Sequence, residues 1–182
     1  VKKALDYIAG CANADGGIYR DVPAARGGSL RHYNTSACMM ALAASGRTQY
    51  DPIVERARKF LIDGQCLVPG PYRGGWGYDP DKQRAYADMN NTGFVVDALY
   101  YTTFVAKVSC APPTTGLRKG DEPKDPNAPP DANWQAAVDF LSRCQNLPSK
   151  DPQVPKAISP RPQDLGGFFY RSGDGKSGGG KT

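Results

Sequence analysis

Apolar residues recur at helical spacing in five stretches of the chain, separated by glycine- or proline-rich breaks. In residues 2–12 the apolar positions are Ala4, Leu5, Ile8 and Ala9, and Asp15-Gly16-Gly17 supplies turn chemistry after them. A second stretch, SACMMALAA, opens at Asn34 or Thr35 and stops at Gly46. The third starts at Asp51 as a cap, with Pro52 at its first helical position and Glu55 in its first turn. It carries Phe60 and Leu61 and is broken by Val68-Pro69-Gly70-Pro71. The fourth runs from near Asn91 to about Val105, with Phe94, Val95, Ala98, Leu99 and Tyr101 on one broad apolar face. The fifth is capped by Asp131 or Asn133 and places Trp134, Ala137, Val138 and Leu141 on its packed face. This pattern predicts an all-α fold of about five helices, with no sheet beyond a short ribbon.

The helices belong to a repeat. Residues 56–103 hold its fullest copy: Phe60-Leu61, then Gln65, then Gly74-Gly75-Trp76, then Asn91-Thr92 opening the next helix. An upstream copy reads Tyr7-Ile8, Ala12, Gly16-Gly17-Ile18, Asn34-Thr35. A downstream copy reads Phe140-Leu141, Gln145, Gly166-Gly167-Phe168. Gly17 to Asn34 is 17 residues and Gly75 to Asn91 is 16, and NTSACMMAL and NTGFVVDAL agree at Asn, Thr, Ala and Leu. A unit one helix pair long suits stacked helix hairpins. The chain then divides into one repeat domain over 1–182, interrupted by proline-rich stretches at 106–131 and 147–165 and ending in a glycine-rich stretch at 172–182.

The aromatic-Leu-x3-Gln pattern followed by Gly-x-Trp resembles the QW motif of squalene–hopene cyclases and, more loosely, of protein prenyltransferase β subunits; the other copies have Ile18 or Phe168 in place of Trp, and the first has Ala12 in place of Gln. Phe60, Gln65, Gly75 and Trp76 carry the best match, and Gln145 and Gly167 a partial one. The resemblance implies an α/α toroid in which outer and inner helices alternate around an apolar cavity, here as an incomplete ring. It implies that the parent protein handles a long apolar isoprenoid, as in terpenoid cyclisation. It also implies that further repeats of the parent chain are the domain's neighbours. By the repeat spacing the next inner helix is expected one or two residues beyond Thr182, leaving an open arc with an exposed concave apolar surface.

Composition narrows this little. Charged residues make up 23% and no run of five like charges occurs, so there is no basic arm for nucleic acid. No apolar run approaches the ~20 residues of a membrane span, and the chain reads as a soluble domain. A start at Val1 reads as a processed chain or an excerpt, and leaves localisation open. Five cysteines without a CxxC pair do not make a zinc knuckle; Cys11, Cys66 and Cys144 recur beside the Gln position as small packing residues. The lone His32 lacks zinc-ligand companions, so no metal and no cofactor are expected. Residues 175–182 match G-x4-G-K-T, but no strand pattern precedes them and no helix follows, so no nucleotide is expected there.

Asp88-Met89-Asn90-Asn91-Thr92 is the most informative polar cluster. It is similar to the Asp-x-Asp-Asp-Thr of class II terpene cyclases, whose middle acid protonates an alkene. Here Asn90 stands at that place, and an amide cannot donate the proton. Asp88 is the remaining candidate acid; the alternative is that Asp88, Asn90 or Asn91 caps the inner helix, as Asn34 would in the first repeat. Candidate cavity- or ligand-lining residues are Tyr33, Met39, Asn90, Asn91, Phe94 and Tyr101; in a cyclase the aromatic rings among them could stabilise a carbocation through their π faces. Tyr86, Tyr100 and Phe104 lie near the same helices. Two readings follow: a terpene cyclase-like enzyme with its usual acid replaced in this piece, or a non-catalytic α/α-repeat module that binds an apolar ligand or a protein.

Overall fold

The computed structural model describes residues 1–21, 29–80, 86–103, 105, 131–148 and 165–172. Among the described residues there are five helices: α1 (Lys2–Ala9), α2 (Arg31–Ala44), α3 (Asp51–Asp63), α4 (Met89–Tyr101) and α5 (Trp134–Cys144). A 3-10 turn, Thr48–Tyr50, leads into α3. Among the described residues there is no strand, only three isolated antiparallel bridges, Ala12 with Ile18, Trp76 with Asp88 and Gln145 with Phe168. Helices α2 and α4 pack on each other; α3 packs on both, α1 on α2 and α5 on α4. The proline-rich stretches and the glycine-rich end lie, but for their edges, outside the described residues, as do Phe104 and Cys110.

Helix ends follow local chemistry, and four differ from the expectation. Helix α1 stops at Ala9 because Cys11 and Ala12 turn to pair with Ile18 and Tyr19. Helix α2 begins at Arg31, three residues before Asn34; Leu30 precedes it in the left-handed region at φ 51°. Asn34 therefore caps nothing, and its amide donates to the Ser29 carbonyl at 3.2 Å. Asp51 is the first residue of α3, where its charge complements the helix dipole, and it makes no cap bond. Helix α4 ends at Tyr101, short of Val105. Asn133 caps α5, its side chain accepting from Ala136 N at 2.9 Å. The packed face of α5 is Ala136, Ala137, Phe140 and Cys144, with Trp134 and Leu141 half-buried and Val138 exposed.

The repeat becomes physical at the glycine turns. Gly16, Gly74 and Gly166 all have positive φ (94°, 98° and 84°), which a side chain disfavours. After each turn the chain runs back along the end of the preceding helix: Asn13 N, Cys66 N and Asn146 N donate to Gly17, Gly75 and Gly167 carbonyls. That register makes Cys11 equivalent to Cys144, whereas Cys66 falls on the other side of the Gln position. The residue after the second glycine is then pinned from the inner helix. Ile18 N donates to Thr35 Oγ1 at 2.9 Å and Trp76 N to Thr92 Oγ1 at 3.0 Å, both buried. This accounts for the repeated Thr of the Asn-Thr pair. Replacing Thr92 by Val keeps the shape but orphans a buried N–H, which costs about 1–3 kcal/mol. Denaturant melts should show that loss for Thr92→Val and a smaller one for Thr92→Ser.

Gln65 joins three elements. Its Nε2 donates to the Gly74 carbonyl (2.9 Å) and the Asn133 carbonyl (3.0 Å), while Oε1 accepts from Asn133 N (2.8 Å). The turn is thereby tied to the start of α5. Trp76 is fully buried and its indole N–H donates at 2.6 Å to the Leu61 carbonyl near the end of α3, an acceptor it shares with Gly64 N. At the end of α4 the buried Arg58 does the corresponding work, donating to the Leu99 carbonyl and to Thr102 Oγ1. Met39, Leu42, Val54, Leu61, Val95 and Leu99 fill the core between these clamps.

Candidate functional site

Helices α2 and α4 each bury one face and leave the opposite one open. Helix α2 buries His32, Thr35, Ser36, Met39 and Leu42. Its other side carries Tyr33, Ala37, Met40, Ala41 and Ala44, with the three alanines exposed and Tyr33 and Met40 half-buried. The polar groups on the buried face are held by hydrogen bonds: Thr35 Oγ1 accepts from Ile18 N, Ser36 Oγ donates to the His32 carbonyl, and His32 Nδ1 pairs with the Gly77 carbonyl. Helix α4 buries Asn91, Thr92, Val95, Ala98 and Leu99 and turns Asn90, Phe94, Asp97 and Tyr101 outward. The two stripes meet where Tyr33 and Phe94 contact edge to face, their centroids 4.6 Å apart. Tyr101 lies at the far end against Tyr100, at 5.3 Å.

Of the residues expected to line a cavity, Tyr33, Asn90, Phe94 and Tyr101 share this face. Met39 and Asn91 do not line it: both are fully buried on the opposite side of their helices. Ala37, Ala41 and Asp97 do belong to it and went unnoticed. The signal was available, since Ala37 and Ala41 follow Tyr33 at four-residue steps and Asp97 follows Phe94 by three. Asp97 is the only carboxylate on this face, and Asn90 adds an amide at its α4 end.

Asp88 sits at the N-terminus of α4 as its cap and is fully buried. One carboxylate oxygen accepts from Asn91 N at 2.8 Å and the other from Asn91 Nδ2 at 2.7 Å. Its backbone N–H is held by the Trp76 carbonyl, so the turn of the repeat fixes the cap. Asn90, one residue on, is exposed. The cluster that is contiguous in sequence is thus divided between the core and the surface.

His32 is a buried helix residue. Its Nδ1 lies 2.8 Å from the Gly77 carbonyl, which can only accept, so Nδ1 carries the proton. Nε2 has no hydrogen-bond partner and packs on Gly64, where a Cβ would come within 2.2 Å of it. Burial holds the imidazole below its ordinary pKa of 6.5, against the opposing pull of the Gly77 bond and of Asp79. The unfolded chain takes up a proton near 6.5 and the folded chain resists it. This contribution to stability is therefore intact above pH 6.5 and falls as the pH drops below it. As His32 is the only histidine, a Tm that declines from neutral pH towards pH ~5.5 in the wild type and much less in His32→Gln checks this assignment.

Over the start of α4, Tyr78 and Tyr170 share a hydroxyl–hydroxyl hydrogen bond of 2.8 Å, and the Arg171 guanidinium lies 4.8 Å over the Tyr86 ring. Burial pushes both the Tyr86 and Tyr170 phenols above their ordinary range. Met89 N donates to the Tyr170 carbonyl at 2.9 Å, tying the third turn to α4. Among the described residues, no three His, Cys, Asp or Glu side chains gather around a common point that could hold a metal. None of the described helices is long and apolar enough to cross a membrane. The G-x4-G-K-T stretch lies outside the described residues. Comparison with protein-family models, with curated proteins and with solved structures finds no match.

Proposed function

We propose that this chain is a segment of an α/α-toroid repeat protein of the squalene cyclase and prenyltransferase type, and that its α2/α4 face binds a long apolar ligand of the isoprenoid class. The observation that carries this is the apolar stripe on the open side of α2, joined to the aromatics of the open side of α4 by the Tyr33–Phe94 contact. Alternating flanking and paired helices, tied by Gln65, Trp76 and the two threonine clips, support the toroid geometry. Within this segment the role is binding and not proton donation. Asp88 is committed to its cap and Asn90, though exposed, is an amide.

The test is titration of the chain with a fluorescent isoprenoid alcohol, alongside incubation with squalene and with prenyl diphosphates. Saturable binding is expected, weakened roughly tenfold or more by Ala41→Glu, which places a charge in the stripe. No turnover is expected. Binding that is indifferent to Ala41→Glu, or a cyclised product that vanishes in Asp88→Asn, contradicts the proposal.

A further inference from the structure

His32 ties the frame of the repeat to the open face. It is buried in the first turn of α2. Its backbone N–H donates to the Tyr78 carbonyl at 2.9 Å, and its Nδ1 N–H to the Gly77 carbonyl at 2.8 Å. Main chain and side chain of one residue thus fasten the start of α2 to the turn that follows Trp76. The next residue, Tyr33, makes the edge-to-face contact with Phe94 that joins α2 to α4 on the open face. The placement of that first turn sets the contact.

The slot around the ring admits one proton. Nδ1 carries it, while the buried Nε2 has no hydrogen-bond partner and faces Gly64 at the end of α3, where a Cβ would come within 2.2 Å. A second proton, on Nε2, makes a buried cationic N–H with a glycine Cα before it and no acceptor. Burial already disfavours that form. From α3 the ring meets Gly64 and Phe60, the latter at 5.6 Å between centroids, and neither carries a charge. Beyond the turn, Asp79 pulls towards protonation. It is shared with Arg31, whose backbone N–H donates to it at 3.1 Å and whose Nε lies 3.9 Å away. From α4, Asp88 is held in its cap and Asp97 lies on the open face. Relief requires that Nε2 reach water, and that parts the first turn of α2 from the end of α3.

We propose that protonation of His32 in mild acid parts the start of α2 from this seat and releases an apolar ligand from the α2/α4 face. Release presupposes the binding proposed above, and means that the site is loaded at neutral pH and emptied below it. His32 is a positioning residue: it acts through Tyr33 and does not touch the ligand. The coupling is reciprocal, so bound ligand keeps the imidazole neutral to lower pH. Titration with the fluorescent isoprenoid alcohol at about pH 7.5 and about pH 5.5, with circular dichroism at both, tests it. The alcohol does not ionise in this range. The wild type should bind roughly tenfold more weakly at the lower pH with its helical signal unchanged, and His32→Gln should bind alike at both. NMR of the wild-type imidazole needs no variant, because His32 is the only histidine. Its titration should move to lower pH when the ligand is added. Failure to bind at neutral pH contradicts the proposed binding and the release with it. Binding that is equally tight at both pH values overturns the release alone. So does an imidazole titration that the ligand leaves unmoved, a His32→Gln variant as acid-sensitive as the wild type, or release that coincides with loss of the helical signal.

Discussion

Gly74→Ala is expected to cost about 4 kcal/mol or more, although it adds one methyl group. At φ 98° any Cβ is disfavoured by roughly 1–2 kcal/mol. The larger cost is collision: the new Cβ would lie 1.8 Å from the Ala136 carbonyl oxygen and 2.3 Å from its carbon. Those are backbone atoms of α5, and the helix start is held by Gln65 through both polar groups of Asn133. The clash is relieved only if α5 moves, which breaks that clamp and lifts Phe140 from Gly75. Gly166→Ala is the control. It has nearly the same φ, 84°, but open space beyond it, so about 1 kcal/mol is expected. Urea melts of the two variants should differ by several kcal/mol; equal losses would mean that the α5 contact is not what Gly74 serves.

Trp76→Ala is expected to cost about 3–5 kcal/mol, the range for removing a large buried aromatic. The ring is fully buried among the residues that join α3 to α4, and its N–H serves the Leu61 carbonyl. Trp76→Phe separates the two contributions. It keeps most of the packing and removes the hydrogen bond, so about 1–2 kcal/mol is expected. A denaturant midpoint for Trp76→Ala close to that of the wild type would remove the turn from the centre of the fold.

The helix count and the equivalence of the glycine turns were legible in the sequence because apolar spacing and Gly-Gly pairs are local signals. The role of Thr92 was half legible. It repeats visibly with Thr35, but that its hydroxyl holds the Trp76 N–H depends on how the chain folds back across 16 residues. Helix starts were the weak point. Asn34 has a capping side chain, yet α2 starts earlier, because Leu30 takes up the left-handed turn and Arg31 N donates to Asp79, 48 residues away. Asp88 and Asn90 could not be separated by sequence either. Both are polar and close together, and only the direction of the α4 cap buries one and exposes the other. Met39 was expected on the open face and lies in the core, since helical phase places it four residues from the clipped Thr35.

The most direct measurement is photo-crosslinking of the chain with a long isoprenoid alcohol that carries a photoreactive group, followed by peptide mapping. Adducts are expected on Tyr33, Ala37, Ala41, Phe94 and Tyr101, and excess unlabelled isoprenoid should compete them away. Adducts that map instead to the outward faces of α1, α3 or α5, or labelling that no isoprenoid displaces, would contradict an apolar binding face on α2 and α4.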